Sequence, residues 1–173
     1  MNAAESLFLT QGFLETTVSE IVKDADVAKG TFYHYFTSKD EILEALRERY
    51  MTWYLACIDQ AIDGETDSQE ILLQWCESSI KCYVEKMRVH DMLFHEGFHK
   101  CSNIHEERAI AQVKAILLYG QERKAWSATP INLVSSMMYH CMHTAVDNLT
   151  NSAEYNEKTL GLLLYQRLLG LIK

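Results

Sequence analysis

The sequence predicts an all-α protein on three observations. It has one Pro and seven Gly in 173 residues, too few for the frequent turns of an all-β fold. Hydrophobic residues make up 48%, enough for a substantial core. Apolar residues recur at steps of three and four along nearly the whole chain, the period of an amphipathic helix, and no segment alternates convincingly as a strand.

The elements follow in order. Ala3 to Gln11 reads as a first helix, with Ala4, Leu7 and Phe8 on one side and Gly12 as its stop. Thr17 and Glu20 form a T-x-x-E capping box that opens a second helix, with Val18, Ile21, Val22 and Ala25 inward. A tight corner at Asp26 and Val27 leads to a short third helix from Ala28 to Phe36. Ser38 and Glu41 form a second capping box and start a long fourth helix, with the stripe Ile42, Leu46, Tyr50, Trp53, Cys57 and Ala61. The polar run 63–68 is a loop. Helical stripes resume through Ile71, Leu72, Trp75, Ser79, Tyr83 and Met87, and another helix spans Asn103 to Lys124. Thr129 as N-cap and Pro130 at the first helical position open a helix reaching Leu149, and a last helix ends at Ile172.

Composition limits the function. No run of about 18 apolar residues exists, so no membrane-spanning helix is expected, and the N-terminus lacks the layout of a secretory signal. The five Cys, an odd number without a C-x-x-C pair, suit reduced thiols in a cytoplasm better than a disulfide framework. A net charge of −8 argues by itself against nucleic acid as a partner. Local charge runs the other way in one place. The window Ala28 to Lys39 holds two Lys and no acid, whereas residues 1 to 50 carry nine acids against five Lys and Arg.

That window lies in a helix, short turn, short helix arrangement, the helix-turn-helix plan whose second helix enters the DNA major groove. On a helical wheel, Ala28, Phe32, Tyr35 and Phe36 share the inner side, and Gly30, Tyr33 and His34 centre the outer side, flanked by Lys29 and Thr31. Gly within a helix costs about 1 kcal/mol relative to Ala, which is understandable if something must approach the backbone there. Lys29 can meet a phosphate, and Thr31, Tyr33 and His34 can donate to phosphates or base edges. Lys39 adds charge beside the free N–H groups of the fourth helix.

The residues Ala4, Leu7, Phe8, Gly12, Phe13, Thr16, Thr17, Val18 and Ile21 form a pattern that resembles the N-terminal domain of tetracycline-repressor-like (TetR/AcrR) transcriptional regulators. So does the run Ala25, Val27, Lys29 to Phe36, Ser38, Lys39, Ile42 and Leu43. The resemblance covers about the first 47 residues. It implies a helix-turn-helix DNA-binding domain over 1–47 and a helical effector-binding and dimerisation domain over 48–173. It also implies a homodimer on palindromic double-stranded operator DNA, with Thr17, Lys29, Gly30, Thr31, Tyr33, His34, Tyr35 and Lys39 at or near DNA. Such proteins typically repress transcription until a small-molecule effector binds. Three features depart from the family pattern. Asp26 stands where Gly is usual, Ala28 where a capping Ser is usual, and the chain begins almost inside the first helix without the usual preceding basic residues.

The last two helices look like a dimer interface. Val134, Met138, Cys141, Ala145 and Leu149 form one stripe, and Leu160, Leu164, Leu168 and Leu171 another, with further apolar surface on Leu162, Leu163, Leu169 and Ile172. Trp75, Tyr83, Met87, Phe94, His95, Phe98 and His99 are the candidate effector-pocket residues, by their apolar and aromatic character. The run His95, Glu96, Gly97, Phe98, His99 spells H-E-x-x-H, in which two helical His bind zinc beside a Glu base. This leaves a zinc-binding protein or hydrolase as the alternative. A metal- or haem-responsive repressor would use the same His-rich stretch, with His90, Cys101 and His105. Gly97 weakens the helix such a motif needs. The expectation is therefore no catalytic residue, no bound metal and no cofactor, with these His lining a pocket or lying in solvent. Cys76, Cys82 and Cys101 are candidate oxidant sensors.

Overall fold

The computed structural model describes residues 1–95, 104–149 and 155–172, and these form nine helices with no strand. They are α1 (Asn2–Gln11), α2 (Val18–Asp24), α3 (Lys29–Tyr35), α4 (Lys39–Ile62), α5 (Ser68–Glu85), α6 (Met87–Phe94), α7 (Ile104–Glu122), α8 (Ile131–Leu149) and α9 (Glu157–Ile172). Two compact units result. The first holds Met1–Thr52 and α6, and the second holds Trp53–Glu85 with α7, α8 and α9. Thus α6, although it falls within 48–173, packs with α1.

Local signals set the first unit. Gly12 ends α1 with φ 87°, a left-handed value that Gly adopts without steric cost, and its N–H donates to Phe8 O at 3.0 Å. Both halves of the Thr17–Glu20 capping box form: Glu20 N donates to Thr17 Oγ1 at 3.2 Å, and Thr17 N to Glu20 Oε2 at 2.8 Å. Asp26 takes φ 52° in the corner, which Asp tolerates better than most residues, so the turn forms without Gly. Ala28 caps α3 with no side-chain hydrogen bond. The start of α4 is a divided box. Ser38 Oγ accepts from Glu41 N at 3.2 Å, but the Glu41 carboxylate turns to Thr37, accepting from its N–H at 2.6 Å and its hydroxyl at 2.7 Å.

Three expected stripes shift by one position. In α4 the inward line after Tyr50 is Met51, Tyr54 and Ile58, whereas Trp53 and Cys57 are half-buried and Ala61 is exposed. The helix leaves one unit and enters the other at this point, so a different side is covered. In α8 the buried residues are Val134, Ser135, Met138, Met142 and Val146, and Cys141 is exposed. In α9 they are Gly161, Leu164, Leu168 and Ile172, and Leu171 is 45% exposed. Both helices are apolar on several sides, so periodicity cannot choose the covered one. The start of α8 also moves. Val134 N donates to Pro130 O at 3.1 Å, which makes Pro130 rather than Thr129 the residue before the first helical one.

Close approaches hold the second unit. A Cβ on Gly120 would lie 2.0 Å from the Trp126 ring, whose Nε1 donates to Leu117 O at 2.8 Å. A Cβ on Gly161 of α9 would lie 3.0 Å from Glu77 Cα of α5. Asp67 caps α5, its Oδ1 accepting from Gln69 N and Glu70 N at 2.9 Å each. No described helix is long and apolar enough to cross a membrane.

Candidate nucleic-acid interface and interior site

Phe32 alone of α3 is buried, with its ring 5.3 Å from Tyr33 and 5.8 Å from Phe36. Ala28 and Tyr35, expected on the inner side, are exposed, Tyr35 to 68%. A helix of seven residues is covered by its neighbours over little more than one turn, so both ends project. The outward set is consequently broader than the wheel suggests. Lys29, Gly30, Thr31, Tyr33, His34 and Tyr35 are all exposed, and Thr17 is exposed at the start of α2. The space a Gly30 side chain would occupy is open, with nothing within 4 Å. The backbone of α3 is therefore uncovered at that point.

Lys39 is placed differently. Its Nζ donates to Phe13 O at 2.5 Å, Thr16 O at 2.7 Å and Leu14 O at 3.1 Å, and it sits 4.4 Å above the Phe13 ring. An ammonium has three donors, and here three carbonyls of the α1–α2 turn take them. Lys39 thereby clasps the turn that delivers Thr17. Exposed Glu20 and Glu41 have their carboxyls held below the usual range by the hydrogen bonds from Thr17 and Thr37, respectively.

The expected effector residues fall in different units. Trp75 and Tyr83 are 2% exposed in the core of the second, whereas half-buried Met87 and Phe94 and exposed His95 belong to the first. Phe98 and His99 lie outside the described residues, as do Glu96, Gly97 and Cys101. His95 is the C-cap of α6, so the H-E-x-x-H run begins where a helix ends. Around Tyr83 the second unit gathers polar groups that periodicity missed. The His143 ring is 5.5 Å from Tyr83 and 4.5 Å from Tyr139, and Tyr54 is buried in the same unit. Burial drives the Tyr54 hydroxyl well above its ordinary pKa, so it stays protonated. Polar side chains on inward helix faces were the available signal. Burial also raises the thiol pKa of Cys76, and pushes that of Cys82 up to about 12 beside Cys57. Both thiols are protonated at neutral pH, the opposite of a reactive thiolate.

Comparison with known proteins agrees with this geometry. Residues 1–46 match the family of bacterial regulatory proteins called the tetR family. The HTH-type transcriptional repressor NemR of Escherichia coli is 32% identical over 82 residues, which are 47% of this chain and 41% of NemR. The HTH-type transcriptional regulator QacR of Staphylococcus aureus is 24% identical over 165 residues, covering 91% of this chain and 87% of QacR. The chain thus spans less than half the length of NemR, and 37% of the regulator YvdT of Bacillus subtilis. Among solved structures, the transcriptional regulator FadR of Bacillus subtilis in complex with stearoyl-CoA superposes with a TM-score of 0.81 at 20% identity, covering 99% of this chain and 97% of that one. The fatty acid degradation regulator FadR of Bacillus halodurans gives 0.80 at 22% identity, covering 98% and 92%. These relatives are named as regulators and repressors, not as enzymes.

Proposed function

We propose that this chain, whose residues 1–46 match the tetR family of bacterial regulatory proteins, is a cytoplasmic homodimeric repressor that binds palindromic operator DNA and is released by a small-molecule effector. The observation that carries this reading is the outward face of α3, basic at Lys29, hydrogen-bonding at Thr31, Tyr33 and His34, and open at Gly30. Phosphate contacts fix register while base-edge contacts read sequence. Lys29 and Thr17 serve the first role, and Thr31, Tyr33, His34 and Tyr35 the second. Lys39 acts on the interface by holding the turn before Thr17.

Dimerisation is supported by the outer side of α8 and α9. Leu133, Met137, Leu162 and Leu171 are between 39% and 56% exposed, more apolar surface on these helices than solvent favours. A two-fold partner would cover it and set two α3 helices about 34–36 Å apart, or a multiple of that, on one face of a duplex. The effector would enter the second unit near Trp75, Tyr83, Tyr54 and His143. It can release DNA only if it binds better to a conformer with a different half-site spacing. α4, which contributes turns to both units, is one helix through which that change can pass.

Selection of bound duplexes from a random pool tests the proposal. Two inverted half-sites with centres one or two helical turns apart are expected. Elution by candidate effectors, long-chain acyl-CoA among them because FadR of Bacillus subtilis holds stearoyl-CoA, would identify the ligand class. Recovery of unrelated duplexes, or of single half-sites only, would reject the reading.

A further inference from the structure

α6 ends in a group of side chains that operator binding leaves unused. His90, Asp91 and His95 each bring one ligand atom within 4.8 Å of the other two. A single carboxylate oxygen joins them: Asp91 Oδ1 is 3.4 Å from His90 Nδ1 and 3.9 Å from His95 Nδ1. The imidazole rings have centroids 5.0 Å apart and planes at 76°, an edge arrangement that does not stack their faces. With bonds of about 2.1 Å, the ligand atoms of a tetrahedral metal ion lie roughly 3.4 Å apart. One pair already has that spacing, and the others must close by about 1.4 Å at most from the 4.8 Å limit.

Burial divides the three into an anchor and two arms. The His90 side chain is 7% exposed, with its ring 5.6 Å from Tyr50 and 5.0 Å from Phe94. The Asp91 and His95 side chains are 41% and 51% exposed and free to close on an ion. We propose that His90, Asp91 and His95 bind a divalent cation of the zinc, copper or nickel class, with water completing the shell. Two imidazoles and one carboxylate suit these ions, whereas magnesium and calcium favour all-oxygen sets. The H-E-x-x-H run would have paired His95 with a residue downstream. The geometry pairs it with a carboxylate and an imidazole upstream instead.

The position gives the site a lever. Arg47 of α4 donates from Nε to Leu93 O at 2.8 Å, and its guanidinium lies 5.9 Å from the centre of the Phe94 ring. An ion drawing His95 toward His90 would tighten the end of α6 on α4, inside the unit that carries α3. An effect on operator affinity therefore rests on the reading of this chain as a DNA-binding regulator, whereas ion binding does not.

The test uses the full chain stripped with a chelator and titrated with Zn²⁺ and, separately, Co²⁺. One ion per chain is expected, with a Co²⁺ spectrum lacking the thiolate charge-transfer band. His95→Ala and Asp91→Asn should each weaken binding tenfold or more without changing the circular dichroism. No binding at micromolar Zn²⁺, a thiolate band, or unchanged affinity in both variants would overturn the site. DNA is absent from this titration, so its failure leaves the operator reading intact. Operator affinity measured with and without Zn²⁺ tests the lever alone.

Discussion

α3 and α8 both present exposed faces, but of opposite chemistry. The α3 face carries Lys29, Thr31, Tyr33 and His34 around an open Gly30. The α8 face carries Leu133, Met137 and Cys141 at successive turns. Hydroxyl, imidazole and ammonium groups keep their donors available to a charged, hydrated partner. Leucine and methionine gain only when another apolar surface displaces their water. Equal exposure therefore suits different partners, according to the composition of each face.

The largest effect is expected where the apolar face is charged. Met137→Glu should convert dimer to monomer in sedimentation velocity and weaken operator binding at least a hundredfold, with helix content unchanged. A dimer that survives would move the interface elsewhere.

Next comes a pair of glycines that separates filled from open space. Gly120→Ala drives a methyl group into the Trp126 ring and should destabilise by about 1–3 kcal/mol, read as a fall in Tm. Gly30→Ala meets nothing and removes a weak helix former, so Tm should rise by the equivalent of up to about 1 kcal/mol while operator affinity falls. Opposite signs for stability and binding at Gly30 are the signature of a face kept open for a ligand.

Two lysines sharpen the same point. Lys29→Ala should lower the slope of log K against log salt by about 1 and leave Tm alone. Lys39→Met, which removes three carbonyl contacts, should cost about 1–3 kcal/mol of stability and leave that slope unchanged. An exchange of these outcomes would make Lys39 the phosphate contact.

The smallest effect is on the caps. Glu20 and Glu41 have carboxyl pKa values lowered from 4.5 in the folded chain, so their stabilisation is present above about pH 4.5 and lost as pH falls through the lower folded values. Amide exchange at Thr17 and Thr37 should quicken over that acid range, and Glu20→Gln should flatten the response at Thr17 only.

What was legible in the sequence follows from how far each signal reaches. The Thr17–Glu20 box, the Gly12 stop and the Asp26 corner depend on residues within four positions, and each forms where it is expected. Ser38 and Glu41 show the limit of such signals, because a neighbouring Thr37 captures the carboxylate. Stripes in α8 and α9 depend on which neighbours cover them, and there Met142 and Ile172 displace Cys141 and Leu171. The three carbonyls around Lys39 lie more than twenty residues away in sequence, which no local pattern encodes. His90 and His95 stood out by type, but Asp91 emerged only when α6 placed its oxygen between them.

The central claim is that the outward side chains of α3 read sequence. Anisotropy titrations of Tyr33→Ala against the selected operator and a scrambled duplex at one salt concentration test it most directly. The account predicts that the ratio of the two affinities falls tenfold or more, a loss of at least about 1.4 kcal/mol, while scrambled-duplex binding and dimer mass hold. An unchanged ratio would contradict it.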